Sequence, residues 1–354
     1  MLDYKKEIEE LISVVTKEGA SDLHLTVGRH PTIRVSGQLI PIVKKPVSSP
    51  EDTIGFLMEI LNEDNKKIFL EKKDLDFSYS PDGKIRFRGN AFYQRGVVGI
   101  AMRLISENIK TIEELNLPTK LYEFANKKQG FFLVVGPVGQ GKSTTLASLI
   151  QHINLERAEH IITIEDPVEY SFKSELSIID QREVRFDTED FASALKSMFR
   201  EDVNVALIGE MRNYETISSA VTAAETGHLV FSTLHANSAS QTIDRIIDSF
   251  PAGQQKQIRN QLAASLLGIF SQRLIPRVSG GLIPAYELLI NNNAVANLIR
   301  EGRSAEIDVV IETSSEDGMI SLNQSLTDLV RSGEISSEVA YHYSTDPRGL
   351  NRLI

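Results

Sequence analysis

A glycine-rich segment near the middle of the chain has the spacing needed to hold phosphate groups. Residues 136–143 read GPVGQGKS and fit the pattern G-x-x-x-x-G-K-[ST]. Glycines let backbone N–H groups converge on phosphate oxygens, and the start of the next helix adds partial positive charge. An apolar run at 131–135 precedes the segment and a helical pattern follows it. Because this is the strand–loop–helix context that the motif requires, we predict a nucleotide site rather than a glycine-rich turn with a surface lysine.

The side chains of this phosphate-binding loop have separate predicted roles. Lys142 would reach the β- and γ-phosphates, the Ser143 hydroxyl would ligate a metal ion, and Thr144 would contact the α-phosphate. The expected cofactors are ATP and Mg²⁺. The predicted nucleotide-binding residues of this segment are Gly136, Pro137, Val138, Gly139, Gln140, Gly141, Lys142, Ser143, Thr144 and Thr145.

Two glutamates follow apolar, strand-like runs and are candidate bases. Glu210 comes after Gly209 and the run 205–208, and Glu165 closes the run 161–164. A carboxylate at such a position can orient the attacking water or hold the waters of a metal ion. We predict Glu210 as the base and as a metal ligand through water, with Glu165 as its alternative or partner. A solvated loop carboxylate is the alternative interpretation for each of them.

Two histidines bracket another apolar run. His228 and His235 lie seven residues apart, which puts them on opposite faces of one strand and disfavours a metal pair. We predict a γ-phosphate sensor among them, with His235 assigned to catalysis and His228 to nucleotide binding. A structural histidine with satisfied hydrogen bonds is the alternative.

The elements that position these residues fall into two parts. Residues 1–105 predict a small mixed sheet with helices, including one helical stretch at 49–72. A polar segment at 106–118 suits a linker. Beyond it, short apolar runs alternate with helical patterns, which indicates a parallel sheet with crossover helices. After Pro284 the pattern is mainly helical.

Composition excludes several classes of protein. The chain has 354 residues, 41% of them hydrophobic and 24% charged, which excludes a disordered chain, collagen and a coiled-coil rod. It has no cysteine, so a disulfide framework, a Cys-ligated zinc and a thiol nucleophile are excluded. Neither a secretory signal nor an apolar run of ~20 residues is present, so we expect a cytoplasmic protein. The net charge of −10 argues against nucleic-acid binding.

Together these motifs resemble the secretion/pilus motor ATPases, most closely the type IV pilus retraction ATPases. The family's Walker A motif, Asp box, Walker B motif and His box correspond to GPVGQGKSTT, TIEDPVEY, ALIGEMRN and TGHLVFSTLHA. The segments ASDLHL and VANLIREGR resemble the family's N-terminal and C-terminal stretches. The resemblance implies an α/β fold: an N-terminal PAS-like α+β domain at 1–105, a linker or hinge at 106–118, and a RecA-like P-loop domain at 119–354 with C-terminal helices from about 285.

The resemblance also implies an activity, partners and further site residues. It implies a homohexamer that binds ATP between the N-terminal domain of one subunit and the RecA-like domain of another. Arg88 and Arg103 would then act on the γ-phosphate of the neighbour, a solvated hairpin face being the alternative. The implied function is ATP-driven pilus retraction for twitching motility. The implied location is the cytoplasmic side of the inner-membrane pilus base, with a platform protein and a paralogous retraction ATPase as partners.

Three residues depart from the family pattern. Asn204 and Asn213 stand where aspartate is usual, and Gln140 where serine is usual. We expect hydrolysis to be retained, with the strength of metal and water positioning left open by the two asparagines. Absence of the tetracysteine site of assembly motors favours retraction over pilus assembly or type II secretion. The motifs are also compatible with an accessory retraction ATPase, a nucleotide-gated binding subunit or a RecA-type nucleic-acid motor.

Overall fold

The computed structural model describes residues 3–35, 37–81, 85–106 and 108–354. The chain divides into a first unit, Met1–Glu107, and a second unit, Asn108–Ile354. Residues 111–117 of the predicted linker belong to the core of the second unit, because Ile112 and Leu117 are buried there beside Phe124.

The first unit contains a six-stranded antiparallel sheet with the order β3-β2-β1-β6-β5-β4. Its strands are β1 Asp22–Thr26, β2 Thr32–Val35, β3 Gln38–Pro41, β4 Asp74–Tyr79, β5 Phe87–Gln94 and β6 Val97–Leu104. Its helices are α1 Tyr4–Lys17, α2 Pro50–Ile60 and α3 Glu63–Lys72. The single helical stretch expected at 49–72 is therefore two helices. The break comes at Asn62, whose side chain accepts a hydrogen bond from Asn65 N and so begins a new helix.

The second unit contains a seven-stranded sheet with the order β13-β12-β7-β11-β10-β8-β9. Its strands are β7 Gly130–Val135, β8 His160–Glu165, β9 Ile178–Glu183, β10 Val205–Ile208, β11 Leu229–Leu234, β12 Leu266–Pro276 and β13 Leu282–Ile290. All of them run parallel except β13, which pairs antiparallel with β12 at one edge. Every residue of β7, β10 and β11 is buried, as expected for strands that are covered on both faces.

Helices cover both faces of this sheet and complete the C-terminal part. They are α4 Leu121–Ala125, α5 Lys142–Glu156, α6 Phe191–Met198, α7 Tyr214–Glu225, α8 Ala239–Asp248, α9 Ala252–Ser265, α10 Asn293–Glu301, α11 Ile307–Thr313, α12 Leu322–Arg331, α13 Ser337–Tyr343 and α14 Pro347–Leu350. The α/β fold is confirmed. The expectation of mainly helical structure from about 285 is wrong for residues up to Ile290, because β13 extends that far to pair with β12.

The first unit has a position where an aromatic ring fills the space of a missing side chain. Gly89 on β5 lies directly opposite Phe77 on β4. A Cβ atom at Gly89 would lie 2.1 Å from Cζ of Phe77, and Phe77 is only 2% exposed. Gly89 therefore allows the Phe77 ring to lie flat against the sheet.

We predict that Gly89→Ala destabilises the first unit by about 1–3 kcal/mol, because the ring has no free space to move into. Amide hydrogen exchange of β4 and β5 in the full chain measures the effect. Gly253→Ala is the matched control, since Gly253 lies in α9 and a Cβ added there would have no atom within 4 Å. Equal exchange rates in wild type and Gly89→Ala would contradict the prediction.

Candidate nucleotide-binding site

The phosphate-binding loop joins β7 to α5 and has a backbone that requires glycine. Gly136 has φ of +147° and Gly141 has φ of +80°, values that side-chain-bearing residues rarely adopt. A Cβ at Gly136 would also lie 2.4 Å from the carbonyl oxygen of Gln272 on β12. The loop therefore keeps its shape because no side chain competes for the space beside β12.

Lys142 is the first residue of α5 and is 8% exposed. Its ammonium group donates hydrogen bonds to the carbonyl oxygens of Gly136 at 3.0 Å and Pro137 at 2.9 Å. Burial lowers the pKa of Lys142, and the nearby carboxylates of Glu169 and Glu210 oppose that shift. The Lys142 ammonium group thus lies against the backbone of the loop. There it can exchange its contacts to carbonyl oxygens for contacts to phosphate oxygens.

The hydroxyl groups that follow Lys142 face different surroundings. Ser143 is half-buried. The Thr144 hydroxyl lies 2.8 Å from the Tyr170 hydroxyl of the Asp-box loop. Thr145 is buried, and its hydroxyl donates to Oε1 of Gln272 at 2.6 Å. Thr145, predicted to bind the nucleotide, therefore directs its hydroxyl into the protein, where it holds α5 against β12.

His235 lies between the loop lysine and the Walker B glutamate. Its Nδ1 is 3.4 Å from Nζ of Lys142, and its Nε2 is 3.8 Å from Oε2 of Glu210. Glu210 also forms an ion pair with Arg212. Burial lowers the pKa of His235, and the charge of Lys142 adds to this effect, while Glu210 opposes it. A neutral imidazole between these two charged groups can donate to an incoming phosphate oxygen or accept from a water molecule.

Glu165 ends β8 and is buried, with 8% exposure. Its Oε1 accepts a hydrogen bond from the Thr163 hydroxyl at 2.7 Å. Burial raises the pKa of Glu165 to about 7, although its hydrogen bonds oppose the shift. Gly209, directly before Glu210, donates its N–H to the carbonyl oxygen of Ile164 at 2.8 Å. The strand ends that carry the two glutamates are therefore adjacent, and Glu165 can take up or release a proton near neutral pH.

The structure does not bring His228 close to Lys142, His235 and Glu210. It precedes β11, and its carbonyl oxygen accepts a hydrogen bond from Gly130 N at the start of β7. The Nδ1 atom lies 3.1 Å from the carbonyl oxygen of Ala223. Because β11 rises by about 3.3 Å per residue, its length separates His228 from the loop by roughly 20 Å. A contact to a nucleotide held by the loop of the same unit is excluded by this distance.

The two asparagines that depart from the family pattern form hydrogen bonds with backbone groups. Asn204 N and Oδ1 form hydrogen bonds with the backbone of His160, at the opposite end of the sheet from the loop. Asn213 caps α7 by accepting from Thr216 N at 2.9 Å. Each asparagine therefore holds a backbone group, and neither of these contacts involves Lys142, His235 or Glu210.

The candidate arginines lie on neighbouring strands of the first unit. Arg88 on β5 is paired with Arg103 on β6, and Arg103 is paired with Asp22 on β1. Residues directly opposite one another in antiparallel strands share a face. The Arg103 Nε donates to Oδ1 of Asp22 at 2.9 Å, and Arg34 Nε lies 3.6 Å from Oδ2. Asp22 is 6% exposed, whereas the Arg103 side chain is 71% exposed, so a buried carboxylate orients an exposed guanidinium.

The side-chain oxygen donors at this site fit a magnesium ion better than a metal ion whose ligands all come from the protein. Across the described parts of the chain, no three His, Asp or Glu side chains are grouped to hold a metal ion. Magnesium keeps several waters and uses substrate phosphates together with few protein oxygens. The Ser143 hydroxyl at the start of α5 is an oxygen donor of the kind that this preference requires.

Within the described residues, every helix is too short or too polar to span a membrane.

Sequence reasoning missed residues whose partners are distant along the chain. Tyr170 and Gln272 contact α5 from other segments, and Asp22 orients Arg103 across the N-terminal sheet. Tyr170 could have been identified from its place in the Asp box. Gln272 has no local signal, because an isolated glutamine in an apolar strand matches no motif.

Comparison with known proteins identifies the family of this chain. Residues 4–332 match the family described as type II/IV secretion system protein. The chain is 43% identical over 334 residues to the type IV pilus retractation ATPase PilT of Pseudomonas aeruginosa, covering 94% of this chain and 97% of that protein. It is 41% identical over 349 residues to the type IV pilus ATPase PilU of the same organism, covering 98% and 91%.

A solved structure agrees in fold. The crystal structure of the pilus retraction motor PilT with bound ADP has a TM-score of 0.91 and 45% identity to this chain, covering 97% of this chain and 98% of that one. The chain is therefore an ATPase that belongs to the type II/IV secretion system protein family, in the branch of the type IV pilus retraction ATPases.

Proposed function

We propose that this protein powers the retraction of type IV pili, and so twitching motility, by hydrolysing ATP. The observation that carries this proposal is the group formed by the phosphate-binding loop, Lys142, His235 and Glu210 in a chain 43% identical to PilT over 94% of its length. A twitching motility protein of Neisseria gonorrhoeae, 43% identical over 311 residues, supports the same assignment.

Each residue of the group has a proposed part in hydrolysis. Lys142 would contact the β- and γ-phosphates in place of the loop carbonyls, and the Ser143 hydroxyl would hold Mg²⁺. Neutralisation of phosphate charge is the chemistry that Mg²⁺ supplies when it is bound. Glu210 orients the water that attacks the γ-phosphorus, and His235 senses the γ-phosphate. The leaving group is ADP, and the proton of the attacking water passes to a carboxylate.

Glu165 is the proposed acceptor of that proton, with Glu210 as the water-orienting partner. A base is most effective when its pKa is close to the working pH, and burial raises the pKa of Glu165 to about 7. Glu210 is held by Arg212 and lies close to His235, which suits a group whose orientation matters more than its proton affinity.

The proposed working form is a homohexamer in which Arg88 and Arg103 contact the γ-phosphate bound by a neighbouring subunit. A guanidinium suits this task because it is planar, always charged and able to donate two hydrogen bonds at once. Loss of the γ-phosphate would then release the N-terminal unit from its neighbour. We place the hinge for this motion before Ile112, because Ile112 is packed within the second unit.

The mechanical partner would be the platform protein of the inner-membrane pilus base, on its cytoplasmic side. A paralogous retraction ATPase is a further proposed partner, because Pseudomonas aeruginosa has both PilT and PilU, which are 43% and 41% identical to this chain. The identity to PilU also supports one alternative function, an accessory motor that acts only with a principal retraction ATPase.

Lys142→Ala is predicted to reduce ATP turnover by more than about 100-fold, because the phosphates lose their buried cation. Cells that carry this variant should have excess surface pili and no twitching motility, counted by microscopy and colony spreading. Lys173→Ala is the control, since this lysine is 89% exposed. Cells without pili would point to an assembly motor, and normal motility would contradict both functions.

Mixing two inactive variants tests whether the arginines act between subunits. Arg103→Ala keeps an intact phosphate-binding loop, and Glu210→Gln keeps both arginines. Each variant alone should be nearly inactive, whereas rings co-expressed at equal amounts should regain up to about a quarter of wild-type turnover, the fraction of complete interfaces expected from random assembly. No recovery in mixed rings would contradict action in trans.

Wild-type protein that needs a second ATPase for turnover would favour the accessory role.

The raised pKa of Glu165 predicts a pH dependence of catalysis. The carboxyl is mostly protonated below pH 7 and mostly ionised above it, so kcat/KM for ATP should rise as the pH increases through about 7. Glu165→Gln should remove this rise from its residual activity. Glu287→Gln is the matched control, because burial also raises the pKa of Glu287 to about 7, at the N-terminus of α8. An unchanged rise in Glu165→Gln would rule out Glu165 as the base.

A further inference from the structure

We propose that Gln272 is a positioning residue for ATP hydrolysis, which fixes the phosphate-binding loop through both ends of its side-chain amide. The residue lies on β12, beyond any segment that the nucleotide motifs cover. The proposal rests on the ATPase activity of the chain and does not depend on the assembly or on the motor function.

Gln272 lies where the loop leaves the sheet. Its neighbour Ser271 pairs with Val135, the last residue of β7, so Gln272 is level with Gly136. Its side-chain Nε2 donates to the carbonyl oxygen of Gln140 at 2.8 Å, and its Oε1 accepts from the Thr145 hydroxyl at 2.6 Å. One amide thus joins the end of the loop to the first turn of α5.

The backbone of β12 adds two contacts to the same loop. Leu274 N donates to the side-chain Oε1 of Gln140 at 2.7 Å. The carbonyl oxygen of Gln272 lies only 2.4 Å from the position that a Cβ of Gly136 would take. Gln140 is therefore held by both its main chain and its side chain, and β12 contacts the loop near its beginning and its end.

These contacts matter because the loop binds phosphate mainly through its backbone N–H groups. Such groups stabilise an anion only when they already point towards it, so a loop that must reorganise loses affinity. Gln272 is only 3% exposed, so water does not compete for its hydrogen bonds. It is also uncharged, so it orients the loop without weakening the positive charge of Lys142.

The test compares Gln272→Met, which has a similar volume but forms neither hydrogen bond, with a matched control. Gln261→Met serves as the control, because the side-chain amide of Gln261 on α9 donates to the exposed Glu225, away from the loop. The dissociation constant of Mg-ADP is measured directly, at a temperature where melting curves show every variant folded. Gln272→Met should weaken ADP binding about tenfold and raise KM for ATP, as expected when both buried hydrogen bonds of the amide are lost, while Gln261→Met binds like wild type.

A double-mutant cycle separates positioning from general destabilisation. Thr145→Val removes the other partner of the 2.6 Å hydrogen bond, so its effect on ADP affinity should be less than multiplicative with that of Gln272→Met. Multiplicative effects would overturn the proposal. ADP binding within twofold of wild type in folded Gln272→Met would also overturn it.

Thr145→Val gives an independent test if Gln272→Met does not fold. This variant removes the hydroxyl that donates to Oε1 of Gln272, without changing the buried strand. It should also weaken ADP binding, and unchanged ADP affinity would overturn the proposal. Because ADP affinity is the readout, a chain that binds ADP as proposed but does not drive retraction would refute the proposed function alone.

Discussion

The nucleotide site depends on one constraint, which is that the backbone between β7 and α5 must stay open while its N–H groups converge. Positive φ values at Gly136 and Gly141 make that path possible. The parallel sheet then supplies the other groups, because β7, β11, β10 and β8 all end at the same edge. His235 and Glu210 follow the ends of β11 and β10, and Glu165 is the last residue of β8, so the topology alone brings them beside the loop.

The cost of burying charge at this edge is offset in two ways. The Lys142 ammonium donates to carbonyl oxygens of its own loop, which offset part of the cost of its burial. A bound phosphate offers stronger acceptors, so it can displace these carbonyls with little further desolvation of the lysine. Glu165 avoids the corresponding cost in a different way, because burial raises its pKa to about 7. The site therefore holds a buried cation, Lys142, that can bind an anion, and a buried carboxyl group, Glu165, that can ionise near neutral pH.

Local patterns predicted the parts of the site that belong to one strand–loop unit. The loop residues, Glu210 and His235 were found because each follows an apolar strand, and strand ends in a parallel sheet converge. Residues whose role comes from long-range pairing were not found. Gln272 meets Thr145 across 127 residues of sequence, and β9 and β12 form as strands through their neighbours. The position of His228 could have been recognised, because it precedes the apolar run 229–234, whereas ligands bind at the carboxyl ends of parallel strands, where His235 lies.

Gln140 shows how a departure from a family pattern can be accommodated. Serine is usual at this position, and a short side chain would leave Leu274 N without the acceptor that Gln140 provides here. The longer amide reaches across to β12, while Gln272 reaches back to the carbonyl oxygen of Gln140. Because the two contacts run in opposite directions between the same two segments, they restrict sliding as well as separation of the loop. The substitution thus adds restraint to the loop between Gly139 and Gly141, whose positive φ values shape its backbone.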